Sequence, residues 1–125
     1  MRGTIVRRIG VALMSAVALA ALAGTAPAET VRIRAFGEPG TFHWHPTQKV
    51  AVRGDKVVWK NTTEAAHTVT SYGRGWSKDT RVAAAAATSF VFNKTGTFRF
   101  RCKIHSTLEG SVCDGMCGSV KVNAP

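Results

Sequence analysis

Phe98-Arg99-Phe100-Arg101-Cys102-Lys103-Ile104-His105 carries two patterns at once. Phe98 and Phe100 alternate with Arg99 and Arg101, the period of a strand with one buried face, and that strand runs straight into Cys102. His105 stands three residues further on, and Met116 eleven beyond it. A thiolate, an imidazole and a thioether therefore share one short stretch. Two soft sulfurs and a borderline nitrogen suit copper better than calcium or magnesium. A second imidazole from upstream would complete two His, one Cys and a weak Met, the ligand list of an electron-transfer copper site.

Outward from this stretch the chain reads as short strands and turns. Ser119 to Val122 alternates as a last strand, and Asn93-Lys94-Thr95-Gly96 is a turn before Phe98. Upstream, Thr88–Phe92, His67–Thr70, Lys56–Lys60, Phe42–His45 and Thr30–Phe36 alternate or are β-rich, with Val50-Ala51-Val52 leading to a turn at Gly54-Asp55. Glu38-Pro39-Gly40 is a further turn, and Ser71 to Lys78 is irregular. Ala83 to Ala87 has helical propensity but is too short to stand alone, so a loop or a single turn competes with it. Seven or eight short strands without a convincing helix predict an all-β, antiparallel Greek-key sandwich. Trp44, Trp59, Phe90, Phe92, Phe98 and Phe100 are expected in its core, and Trp76 either in the core or beside the site.

In this order the pieces resemble the plastocyanin-like cupredoxins, the type 1 blue copper family, over about Phe42 to Val122. Val52-Arg53-Gly54-Asp55-Lys56-Val57-Val58-Trp59-Lys60-Asn61 is similar to the family's Val-x-x-Gly-Asp-x-Val-x-Trp-x-Asn hairpin. Ala66-His67-Thr68-Val69 resembles the segment with the first copper His, and Cys102-x-x-His105 the ligand pair. Met116-Cys117-Gly118-Ser119-Val120-Lys121-Val122 is similar to the Met-x-Gly-x-Val-x-Val ending. The resemblance implies one copper ion held by His67, Cys102 and His105 with Met116 axial, and a carrier of single electrons between redox partners rather than an enzyme. The departure is the ten-residue gap between His105 and Met116, longer than the family's loop. Leu108-Glu109-Gly110-Ser111-Val112 inside it has the same shape as Met116 to Val120, which leaves Leu108 as a rival for the axial position.

The cysteines number three, an odd count. Copper ligation by Cys102 and a Cys113–Cys117 disulfide would resolve it. A straight strand would set those two Cα atoms about 13 Å apart, beyond bridging. Asp114-Gly115 between them is a turn signal, so we expect a bridge that clamps the loop carrying Met116. His43 and His45 lie two apart and face the same way on a strand, as surface histidines or as a second metal site.

The N-terminus has the form of a secretory signal: Arg2, Arg7 and Arg8, an apolar run from Ile9 to Ala23, then Ala26-Pro27-Ala28. Residues 1–28 are expected to be removed, leaving one domain over 29–125 and no integral membrane segment. Cleavage lowers the formal charge from +10 to +7, since three of the seventeen cations leave and all seven acids stay. The expectation is an exported monomer, periplasmic or extracellular, meeting a redox partner with an acidic docking surface; no nucleic-acid motif is present. Three other classes compete: a copper storage or delivery protein, a copper enzyme, and a zinc-bound structural domain. The total of four His leaves too few for a trinuclear copper cluster within one chain.

Overall fold

The computed structural model describes residues 27–125. Of the expected leader only Pro27 and Ala28 fall within the described residues, so its cleavage lies outside them. No described helix is long and apolar enough to cross a membrane.

The described residues form nine strands, most of them alternating apolar and polar residues. They are β1 (Thr30–Phe36), β2 (His43–His45), β3 (Gln48–Val52), β4 (Lys56–Asn61), β5 (His67–Tyr72), β6 (Asp79–Val82), β7 (Ala87–Val91), β8 (Gly96–Glu109) and β9 (Val112–Asn123). One sheet has the order β2-β1-β4-β7, the other β3-β9-β8-β5-β6. The all-β sandwich stands as expected, with nine strands among the described residues instead of seven or eight. Two pairings, β1 with β4 and β3 with β9, are parallel within an otherwise antiparallel set. Within the Ala83–Ala87 segment, Ala83 to Ala86 form a turn, closed by Ala86 N–H donating to the Ala83 carbonyl, and Ala87 opens β7.

The inward residues of the two sheets meet in one core. Ile33, Ala35, Val57 and Trp59 come from the first sheet; Val69, Phe98, Phe100, Val120 and Val122 come from the second. Trp44, Trp59, Phe92 and Phe100 are almost wholly buried, and each such side chain contributes roughly 1.5–3 kcal/mol. Trp76 is half-buried and stacks on Trp59, with centroids 6.0 Å apart. It belongs to the core edge, as does Phe90, whose ring centroid lies 5.1 Å from its own.

The Gly54-Asp55 turn shows why the chain spends those residues there. Gly54 sits at φ +97°, where a side chain is strained. Asp55 is buried and its carboxylate accepts the Val52 N–H at 2.8 Å and the Glu29 N–H at 2.9 Å. One acid thus closes the β3–β4 turn and anchors the start of β1 against β4.

Candidate metal centre

Three side chains from distant parts of the sequence meet at one end of the sandwich. His67 opens β5 and Cys102 lies on β8, both with no exposed surface, and His105 is half-buried. Among the described residues they are the one group of three or more His, Cys, Asp or Glu gathered closely enough for a metal ion. His67 Nδ1 and His105 Nδ1 are 3.1 Å apart, Cys102 Sγ and His105 Nδ1 3.4 Å, and Cys102 Sγ and His67 Nδ1 3.8 Å. A point equidistant from these atoms lies about 2.0 Å from each, the bonding radius of a first-row ion to imidazole nitrogen. The three donors therefore fit a small, borderline-soft cation in their plane.

β8 builds this triangle by leaving its register. Arg101 pairs with Cys117 and Ser106 with Gly115, so Cys102 to His105 form a four-residue bulge opposite the single residue Met116. The bulge is closed by Ser106 Oγ, which donates to the Cys102 carbonyl at 2.5 Å, and by Arg101 Nη1, which donates to Ser106 Oγ at 3.1 Å. Gly115 faces the His105 carbonyl, and a Cβ there would come within 2.5 Å of that oxygen. Its φ of +101° gives a second reason for glycine.

Two of the three donors, His67 and Cys102, are oriented from behind. Thr63 Oγ1 lies 2.7 Å from His67 Nε2, which turns Nδ1 into the site. With Nδ1 as the free lone pair, Nε2–H donates to Thr63 Oγ1, and that hydroxyl donates to Asn61 Oδ1 at 2.8 Å. Asn61 is buried, and its amide donates to the Ala65 carbonyl at 2.7 Å and the Val82 carbonyl at 3.1 Å. Such outer partners fix ring and tautomer at metal sites. The Thr68 N–H points at Cys102 Sγ from 3.3 Å, a donor that a thiolate can accept. Thr68 Oγ1 in turn accepts the Lys103 N–H at 2.9 Å. That link continues through Thr70 to Asp79, whose carboxylate pairs with Lys103 Nζ at 2.7 Å. The hydrogen bonds from Lys103 and Thr70 hold the Asp79 carboxyl below its ordinary range.

Phe42 lies across both imidazoles, with ring centroids 4.8 Å from His67 and 4.6 Å from His105. Burial, then the charge of His105, pushes His67 down to about 4 from an ordinary 6.5. Its imidazole is thus neutral at pH 7, the form that binds metal.

Met116 is fully buried and sits directly across from the bulge. Leu108 lies out along the β8–β9 ribbon, opposite Cys113 and two pairs beyond Ser106 and Gly115. The ten-residue gap is that ribbon: both strands continue past the site and turn at Gly110-Ser111, with Gly110 at φ +59°. Cys113 and Cys117 form the expected disulfide, with Cα atoms 6.2 Å apart, and Cys102 remains free. His43 and His45 stand exposed on β2, outside the triangle. Sequence reading missed Thr63, Phe42 and Ser106. None carries a motif, and only the folded loops bring them to the site.

No protein-family model matches the chain, and no curated protein does. Solved structures do. A purple cupredoxin from Nitrosopumilus maritimus aligns at TM-score 0.59 and 15% identity, over 74% of this chain and 99% of that one. A mutant plastocyanin of fern, solved oxidised and reduced, aligns at TM-score 0.60 and 17% identity, over 74% of this chain and all (100%) of that one. A copper-containing nitrite reductase from Thermus scotoductus SA-01 aligns at TM-score 0.60 and 16% identity, over 77% of this chain and 23% of that one. The chain has the cupredoxin fold, with a His-Cys-His centre at one end.

Proposed function

We propose that this cupredoxin-fold protein is an exported mononuclear blue-copper carrier, passing single electrons between redox partners. The carrying observation is the His67–Cys102–His105 triangle, with buried Met116 across the bulge. Two imidazoles, a thiolate and a weak thioether suit copper better than zinc, whose structural sites are tetrahedral and closed. Bound there, copper would supply a one-electron couple between Cu(I) and Cu(II). The chain's own residues supply the rest. Thr63 and Asn61 hold the His67 ring, Thr68 steadies Cys102, and Phe42 packs against both rings. A frame held on every side changes little when charge changes, which keeps reorganisation small. His105 is the ligand nearest solvent, so exchange with a partner is expected through its edge.

The reading as a carrier and not an enzyme is supported by the four histidines: two form the triangle, and His43 and His45 face away from it. A monomer meeting an acidic redox partner outside the cytoplasm completes the proposal. The test is copper(II) titration followed by visible and spin-resonance spectra, on wild type and on Met116→Leu. We expect an intense blue band in wild type and a shifted band and hyperfine pattern in the variant. Its stability cost is under about 1.5 kcal/mol, because Leu and Met have similar volumes. An unchanged spectrum in the variant removes Met116 from the axial position. A colourless copper(II) adduct of wild type sinks the carrier and favours storage or delivery.

A further inference from the structure

The outward face of the β2-β1-β4-β7 sheet collects positive charge in register. Arg34 lies between His45 on β2 and Lys60 on β4, so two cations and an imidazole form one row across three strands. Arg32 stands two residues along the same face, and Lys56 two further along the β4 register. Arg32 and Arg34 are both exposed. No outward position of β1, β2, β4 or β7 carries an acid. Of the acids at its borders, Asp55 is turned inward onto backbone N–H groups and Asp79, on the other sheet, is taken by Lys103, while exposed Glu29, Glu38 and Glu64 form no ion pair with the face. Among the described residues Lys103–Asp79 is the one ion pair.

Like charges on neighbouring strands are destabilising. Folding alone does not favour such a row, so its neutralising charges are expected to come from outside. Arginine's planar fork matches carboxylates two hydrogen bonds at a time. Val58 lies between Lys56 and Lys60, and exposed Phe36 and Val91 border the basic rows, as apolar contact area. At its upper end the face reaches the metal centre: Phe36 pairs with His43, and the adjoining Phe42 touches both ligand imidazoles.

We propose that this face docks an acidic protein, the electron-transfer partner, and seats it beside the His67–His105 end. The proposal rests on the carrier reading for the partner's role, but not for the surface itself. The test is binding of polyglutamate to the copper-loaded and the copper-free protein at low salt. Wild type is compared with Arg32→Glu/Arg34→Glu and with Arg99→Glu/Lys121→Glu, the same charge change on the other sheet's exposed residues. A milder Arg32→Gln/Arg34→Gln pair guards against misfolding, with the melting temperature measured throughout. We expect the first pair to bind about tenfold or more weakly and the second less than about threefold. Equal losses for the two pairs would show net charge alone at work and overturn the docking face. Vesicles of phosphatidylglycerol form the second arm. Binding there that depends on Arg32 and Arg34, without such dependence for polyglutamate, assigns the face to lipid and overturns the protein partner. Absence of a blue copper spectrum would instead defeat the carrier reading, and would leave the polyglutamate result standing.

Discussion

His67 shows how much of a site is decided by one ring's surroundings. Its pKa of about 4 lies below the ordinary 6.5, because burial and His105 both disfavour the charged form. The unfolded chain therefore takes up this proton first as pH falls, and stability is lost with it. For the metal-free protein we expect His67's contribution to be complete above about pH 6.5 and to disappear as pH falls toward 4. Melting temperatures of metal-free wild type and His67→Asn across that range check this, and the variant should show a flatter profile. Thr63 is the second decisive residue, since its hydroxyl is the partner of His67 Nε2. Thr63→Val is expected to lower copper affinity about 10–100-fold, read by competition with a chelator. His67, Cys102 and His105 were legible in the sequence because metal chemistry restricts the residue types that can serve. Thr63 was not, because a threonine in a loop has many possible uses and only the fold chooses among them.

Among the elements, β8 and β9 differ most from the sequence reading. Ser119 to Val122 was legible because its apolar residues alternate; the rest of β9 was not. Beyond the site no residue of the ribbon is fully buried, so it carries no buried face to set a period. Its pairing comes from backbone hydrogen bonding and from a turn in which glycine supplies the positive φ. β6 escaped for a related reason: it is a four-residue edge strand with one buried residue, Val82. The Ala83–Ala86 turn gives a prediction at this scale. Ala85 sits at φ +62°, a left-handed conformation costly to any residue with a Cβ. Its N–H donates to the Asn61 carbonyl at 3.1 Å, so the turn braces the residue that holds Thr63. Ala85→Gly should stabilise the fold by about 0.5–1 kcal/mol, the strain relieved less glycine's added entropy cost. A rise of several degrees in melting temperature would be the sign of it.

Across the whole molecule, sequence and structure agree on architecture and differ on connection. Two sheets, one core and one open end bearing ligands follow from the order of strand-like segments and from the aromatic alternation around Cys102. The two parallel pairings do not follow from it. β1 with β4 and β3 with β9 are brought together by the way the chain crosses between sheets, which local periodicity does not record. The distribution of charge is likewise a property of the assembled sheets. Arg32 and Arg34 share one face of β1 by alternation, and Lys60 joins them only once β1 and β4 lie side by side.

The disulfide described above has a consequence for assembly under oxidising conditions. Three cysteines can pair in three ways, and only Cys113 with Cys117 spares the thiol of the metal centre. That pairing spans four residues, whereas Cys102 stands eleven and fifteen from its two rivals. Once closed, it removes from the chain the two sulfurs that could capture Cys102. Losing one bridge cysteine should then do more harm than losing both. We expect Cys113→Ser to yield a fraction of protein mispaired through Cys102–Cys117 and unable to take up copper. Cys113→Ser/Cys117→Ser should retain a titratable thiol and bind copper, as thiol counting and copper stoichiometry would show. Oxidation of one pair of sulfurs thus safeguards reduction of the third.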